Sequence, residues 1–169
     1  IDSNPIIDRA SPARMRLIDM SRQLTVLDFS DFISGDDIRK QQFVEDCGVA
    51  LQDIGFFALK NHGIALSLIE QCYQQAENFF ALEENSKMKY LLPDIAHQRG
   101  YTAFGIENAK GNLAPDLKEF WQNGRSHIKG KPAPTYPQNV WPREEIPQFE
   151  AAVDGLFLQM ELLSRSILQ

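Results

Sequence analysis

From Leu24 to Phe29 the run Leu24-Thr25-Val26-Leu27-Asp28-Phe29 is β-branched and alternates enough to predict a short strand, and it stops in Ser30, Asp31 and Ser34-Gly35. Ser34 or Asp36 can then cap a helix. Its apolar stripe is Ile38, Phe43, Cys47, Leu51 and Ile54, and Gly55 closes it. Gly48 weakens this helix without breaking it. Gly55-Phe56-Phe57-Ala58-Leu59-Lys60 is a short apolar run before the turn Asn61-His62-Gly63, which predicts a buried strand. In the next segment Ser67-x-x-Glu70 has the form of a capping box, and Ile69, Cys72, Tyr73, Ala76, Phe79 and Phe80 fall on one helical face. A shorter amphipathic stretch from Glu84 to Leu92 ends at Pro93, which lacks the N–H a helix needs.

Beyond Gly100 the period becomes strand-like, over Gly100 to Glu107 and again over Leu117 to Gly124, with a polar loop around Gly111 and Pro115 between them. Lys129 to Pro142 holds Pro132, Pro134, Pro137 and Pro142 and reads as chain draped over a surface. Phe149, Val153, Leu156, Met160, Leu163 and Ile167 then step by three and four residues, the seam of a long helix. No stop signal precedes Leu168-Gln169, so the sequence reads as cut in mid-element. Together these elements predict an α+β fold. Residues 1 to 23 show no sustained periodicity and form a lead-in, and residues 24 to 169 form the folded body.

A chain of 169 residues is one domain's worth, and 43% hydrophobic with 24% charged residues is an ordinary globular balance. Lys+Arg 17 against Asp+Glu 23 leaves a charge of −6, which offers no field to attract nucleic acid. There is neither an apolar run near the ~20 residues of a membrane span nor a signal peptide, so a cytoplasmic protein with no membrane partner is expected. Cys47 and Cys72 fit neither a CxxC pair nor a metal knuckle and read as two buried thiols.

Metal chemistry has no visible anchor. A non-haem iron site needs two His and a carboxylate on one face, and a His-x-Asp or His-x-Glu pair on a strand supplies half of it. His62 is followed by Gly63-Ile64, His97 by Gln98-Arg99 and His127 by Ile128-Lys129, so that pair is missing. These histidines read as packing or solvated groups, and Arg125, Lys129 and Lys131 as a small basic loop. Glu83-Glu84, Glu144-Glu145 and Asp116 with Glu119 read as surface carboxylates. Glycine-rich phosphate loops and the Gly-x-Ser-x-Gly elbow are absent too.

Several segments in order nevertheless resemble one family. They are Leu24 to Phe29, Asp53-Ile54-Gly55-Phe56-Phe57-Ala58-Leu59-Lys60-Asn61-His62-Gly63-Ile64, Phe79-Phe80-Ala81-Leu82 with Lys87 and Lys89, Arg99-Gly100-Tyr101, Asp116 to Trp121, and Trp141-Pro142 before the last helix. This set resembles the N-terminal region of the isopenicillin N synthase-like, 2-oxoglutarate/Fe(II)-dependent oxygenases, particularly bacterial ones. The resemblance implies the N-terminal part of a double-stranded β-helix (jelly-roll) oxygenase, whose catalytic half carries the His-x-Asp…His ligands and an Arg-x-Ser motif for 2-oxoglutarate. Arg9-Ala10-Ser11 is the one Arg-x-Ser match and lies in the lead-in.

The expectation is therefore the N-terminal portion of a dioxygenase acting on a small organic substrate. Fe(II) and 2-oxoglutarate would serve the full-length enzyme, and neither metal ligands nor catalytic residues lie in this chain. Its partners would be the substrate and the missing C-terminal half. Some relatives dispense with 2-oxoglutarate. By its place in the family, the segment from Gln98 to Phe104 would reach the substrate pocket. Arg99 would grip a carboxylate, Tyr101 or Phe104 would form an apolar wall, and Trp121 would contribute from the next strand. The competing reading is a stand-alone protein-binding or regulatory module using the apolar face of the last helix.

Overall fold

The structure of the protein, a computed structural model, describes residues 23–34, 36–107, 115–126 and 136–168. They divide into two compact units, one ending at His62 and the other starting at Gly63. His127, Gly111 and the stretch from Lys129 through Pro134 lie outside the described residues, as does the expected lead-in through Arg22.

The first unit is a β-α-α-β arrangement of β1 (Val26–Asp28), α1 (Phe29–Ile33), α2 (Asp37–Asp53) and β2 (Ala58–Lys60). β1 and β2 pair in parallel with Leu27 opposite Leu59, a pairing that requires a crossover such as these helices. The strand is shorter than the predicted run from Leu24 to Phe29, and Asp28 stops it at its C-terminal end. Its carboxylate accepts from the Ser30 amide at 3.0 Å and the Ser30 hydroxyl at 2.6 Å, and so caps α1. Asn61 donates to the same carboxylate at 2.8 Å and Lys60 pairs with it at 3.3 Å, so Asp28 also fastens the end of β2. The Ser30 hydroxyl and the Asn61 amide hold the Asp28 carboxyl well below the usual range.

Asp36 caps α2 as expected, accepting from the amides of Ile38 and Arg39. The stripe of α2 differs from the prediction. Phe43 and Ala50 are buried, while Ile38 is 81% and Leu51 50% exposed. At 3.6 residues per turn Ile38 lies about 140° and Leu51 about 80° around the helix from Phe43. The buried line is Phe43, Ala50 and half-buried Cys47 and Ile54, with Phe43 against the rings of Phe29 and Phe32.

The second unit holds α3 (Leu66–Phe80), α4 (Glu84–Met88), a 3-10 turn (Pro93–Ile95), β3 (Gly100–Thr102), β4 (Phe120–Gln122) and α5 (Phe149–Ile167). α3 starts one residue before Ser67, with Ala65 as an N-cap that makes no side-chain bond, so the Ser67–Glu70 pattern is not used as a cap. Pro93 opens the 3-10 turn, and the helix expected through Leu92 stops at Met88. Leu91 instead bridges to Tyr101 as extended chain.

α5 matches its predicted span and packs against α3. Its seam is fully buried only at the N-terminal end, and Leu163 and Ile167 near the C-terminus are half-buried. Phe149 and Ala152 are buried, Val153 and Leu156 half-buried, and Met160 is 54% exposed. The core gathers on Phe79, whose ring centroid lies 4.8 Å from Trp121, 5.6 Å from Phe149 and 5.8 Å from Tyr101. Burying a ring such as Phe79 contributes about 2–3 kcal/mol, and edge-to-face neighbours add to it.

Candidate functional site

Two of the residues expected to meet a substrate, Tyr101 and Trp121, lie on β3 and β4, which form an antiparallel ladder. Gly100 starts it and is required there. Its φ is +80°, and a side chain would collide with the Tyr90 carbonyl oxygen, which accepts the Tyr101 amide at 2.9 Å. The register pairs Gly100 with Gln122, Tyr101 with Trp121 and Thr102 with Phe120. Because strand side chains alternate, Tyr101 and Trp121 share one face while Thr102, Phe120 and Gln122 share the other.

The first face belongs to the core. Tyr101 is 2% exposed, and both it and Trp121 lie in ring contact with Phe79. Its hydroxyl donates to Glu119 Oε2 at 2.5 Å. Lys87 donates to the same oxygen at 2.8 Å and to the Phe80 carbonyl at 3.3 Å, with its ammonium 5.6 Å from the Tyr101 ring centroid. Burial, followed by the Glu119 contact, pushes the Tyr101 hydroxyl far above its ordinary pKa.

A second clasp of the same composition lies nearby. Tyr90 donates a very short hydrogen bond to Glu145, and Lys89 pairs with Glu145 at 2.7 Å. Lys89 and Tyr90 hold the Glu145 carboxyl below the usual range. Glu119 and Glu145 are thus structural anchors, not the surface carboxylates the sequence suggested. No spacing rule marks them, since their lysines stand 32 and 56 residues away in the chain.

The other two expected residues are placed differently. Phe104 lies at a turn just past β3 and is 57% exposed. Arg99 is half-buried, its guanidinium 5.8 Å from the Tyr136 ring centroid, and Nη1 donates to the Gln98 carbonyl at 2.6 Å. Among the described residues its Nε is buried without an acceptor, and no carboxylate is paired with it. Gly124, against which the guanidinium lies, is held on both sides of its backbone by the Asn139 side chain.

Among the described residues, the buried side-chain atoms without a hydrogen-bond partner lie on this ladder and its approach: His97 Nδ1, Arg99 Nε, Thr102 Oγ1 and Trp121 Nε1. By contrast, the cleft of about 510 Å³ beside α5 has satisfied polar walls. There Arg125 and Arg165 both bind Glu161, and Ser126 donates to Asp154 at 2.7 Å. The register that sets Tyr101 and Trp121 on the core face was not readable from the sequence.

Among the described residues no group of three or more His, Cys, Asp and Glu is placed to hold a metal ion. The donor set for iron is therefore not found among the described residues. His62 is half-buried in the turn after β2. No described helix is long and apolar enough to cross a membrane.

Comparison with known proteins places these features. The family model for the "non-haem dioxygenase in morphine synthesis N-terminal" region matches residues 24–144. A 2-oxoglutarate-dependent dioxygenase of Trichoderma harzianum is 31% identical over 147 residues, covering 85% of this chain and 45% of the relative. A proline hydroxylase of Petromyces alliaceus is 31% identical over 149 residues, covering 82% of this chain and 45% of the relative.

Among solved structures, a 2OG-Fe(II) oxygenase family protein from Caulobacter crescentus superposes with a TM-score of 0.71 at 31% identity, over 86% of this chain and 46% of that one. A full-length Neurospora crassa protein in complex with alpha-KG and thymine gives 0.66 at 27% identity, over 83% of this chain and 45% of that one. The chain thus spans under half the length of the relatives it matches. With the family model covering most of the residues from β1 to the approach of α5, this chain belongs to the non-haem dioxygenase N-terminal family.

Proposed function

We propose that this chain is the N-terminal portion of an Fe(II)- and 2-oxoglutarate-dependent dioxygenase that oxidises a small organic substrate. The observation that carries the reading is the family match over residues 24–144. Superposition on 2OG-Fe(II) oxygenases at 31% identity supports it further. Iron, 2-oxoglutarate and O₂ would supply the oxidising chemistry, and the residues that hold them belong to the part of the protein beyond this chain.

The contribution of this chain is to shape one wall of the substrate pocket. Phe104, exposed beside β3, offers an apolar surface. Arg99 offers a half-buried cation with no described carboxylate of its own, suited to a substrate carboxylate through its two-pronged guanidinium. One relative is named a proline hydroxylase, and proline carries such a group. Tyr101 and Trp121 serve the pocket from behind, by holding the ladder that presents it.

The test is oxygen consumption by the full-length protein with Fe(II) and 2-oxoglutarate. Succinate formation that stops with a chelator and returns with Fe(II) is the expected result. Absence of 2-oxoglutarate turnover with every substrate tried, in protein that has bound iron, overturns the reading. Arg99→Met is expected to raise KM for a carboxylate-bearing substrate about tenfold or more while leaving 2-oxoglutarate affinity unchanged.

A further inference from the structure

We infer that Gly124 and Asn139 are positioning residues for the Arg99 guanidinium, which, on the proposed reading, binds the substrate carboxylate. Gly124 leaves the room that the guanidinium fills, and Asn139 fixes the backbone bounding that room. Arg99 stands just before β3 and Gly124 just after β4, and the pairing of Gly100 with Gln122 brings the two to the same end of the ladder.

The room at Gly124 belongs to Arg99 alone. A Cβ there would lie 2.5 Å from Arg99 Nη2, 2.8 Å from Cζ and 3.3 Å from Nε, and these are its nearest neighbours. The backbone itself does not demand glycine, because Gly124 is not among the residues of positive φ. Gly100 is the opposite case, with φ +80° and a backbone carbonyl oxygen in the way. Any side chain at Gly124 therefore displaces the guanidinium and leaves the path of the chain unchanged.

Asn139 holds Gly124 from both sides. Its Oδ1 accepts the Gly124 amide at 2.9 Å and its Nδ2 donates to the Gly124 carbonyl at 2.7 Å. The second N–H of the carboxamide reaches Ser126 Oγ at 3.3 Å, and Ser126 donates to Asp154 on α5 at 2.7 Å. The seat is thus tied to a long helix. The same short stretch of chain supplies Tyr136, whose ring centroid lies 5.8 Å from the guanidinium and adds a cation–π contact.

The seat holds an unusual arginine. Arg39, Arg125, Arg143 and Arg165 each pair with a carboxylate of the chain, whereas Arg99 pairs with none among the described residues. Arg125, the residue after Gly124, is taken by Glu161. A guanidinium held in one direction meets a carboxylate without first losing the freedom of its long side chain, and two-pronged binding needs that direction fixed. Gly124 and Asn139 touch no substrate on this account and act through Arg99.

The experiment uses full-length protein carrying 15N-labelled arginine, with Gly124→Ala, Asn139→Ala and Arg99→Met variants. The Arg99 Nε–H resonance is the one that vanishes in Arg99→Met. Its order parameter is expected near about 0.85 in the unmodified protein and below about 0.6 in Gly124→Ala and Asn139→Ala. The Tm of Gly124→Ala is expected to hold or rise slightly, since the backbone tolerates alanine. Gly124→Ala decides alone should Asn139→Ala prove unstable. A resonance that is mobile in the unmodified protein, or that keeps its order in Gly124→Ala, overturns the inference.

With L-proline as the carboxylate probe, Arg99→Met and Gly124→Ala are each expected to raise Kd about tenfold, and the double variant no further than Arg99→Met. Losses that add in the double variant overturn the inference, because Gly124 would then act independently of Arg99. Failure of the carboxylate reading is distinct. It appears as L-proline binding that is absent or equal in all the proteins, and it leaves the seat seen by the Arg99 resonance standing.

Discussion

The two faces of the β3–β4 ladder are separated by one residue of sequence and have opposite economies. Tyr101 and Trp121 touch rings on nearly every side, and the Tyr101 hydroxyl is held by Glu119. Thr102 and Gln122, their neighbours along the strands, make no side-chain hydrogen bond to another described residue. The difference teaches that residue type is a poor guide to a pocket when the strand register is unknown. Large aromatic residues are what a core needs most, and here the core takes them.

The strongest way to break this contrast is to delete the core face. Trp121→Ala removes a ring within 5.0 Å of Phe149 and 4.8 Å of Phe79, and the loss is expected near 3 kcal/mol, as for aromatic truncations in cores. Urea denaturation of the full-length protein measures it. Trp121→Phe should cost far less, because the buried indole N–H has no acceptor to lose. An equal loss in both variants would mean that the N–H carries the stability.

Gly100→Ala attacks both faces at once by disturbing the strand start. The added methyl meets the Tyr90 carbonyl oxygen, and the backbone is held at φ +80°. A loss of about 2–3 kcal/mol is expected in the same denaturation experiment. Lys87→Met comes next, at about 2 kcal/mol, since it leaves the Glu119 carboxylate largely buried with one donor fewer. The double variant Lys87→Met with Glu119→Leu should recover part of that loss, because replacing both ends of a buried pair is milder than removing one.

How much of this was legible in the sequence depended on the range of the interaction concerned. Asp36 was readable as a cap because it acts on amides two and three residues away. α5 was readable because its period repeats over nineteen residues. The stripe on α2 was misassigned at Ile38 and Leu51, where apolar residues occur almost all round the helix and composition outweighs angle. The Lys87–Glu119 and Lys89–Glu145 clasps were invisible, since nothing local pairs residues so far apart. At the site itself, Arg99 and Phe104 were visible by residue type. The face on which Thr102 and Gln122 lie is assignable only once the ladder pairs Thr102 with Phe120 and Gln122 with Gly100.

A smaller effect separates the clasps by pH. The folded-state pKa of Glu145 is lowered from 4.5, so its contribution to stability is complete above that value and is lost as pH falls through the folded one. The Tyr90 and Tyr101 hydroxyls are raised from 10.0, so theirs is complete below pH 10 and fades as pH rises through the folded values. Denaturation midpoints across pH should therefore fall at both ends. Glu145→Gln should flatten the acid limb, and an unchanged acid limb in that variant would assign acid sensitivity to other carboxylates, such as Asp28.

The smallest effect sharpens the contrast most. Gln122→Leu should leave unliganded stability within about 0.5 kcal/mol of the parent, because no side-chain hydrogen bond to another described residue is lost and a half-exposed leucine fits where a carboxamide stood. Trp121, one residue away and equally half-buried, should lose several times as much on truncation. If Gln122→Leu proved as damaging as Trp121→Ala, both faces of the ladder would be structural, and the pocket wall would have to be sought at Arg99 and Phe104 alone. A near-zero value with weakened ligand binding would instead mark Gln122 as a residue kept for a partner outside the chain.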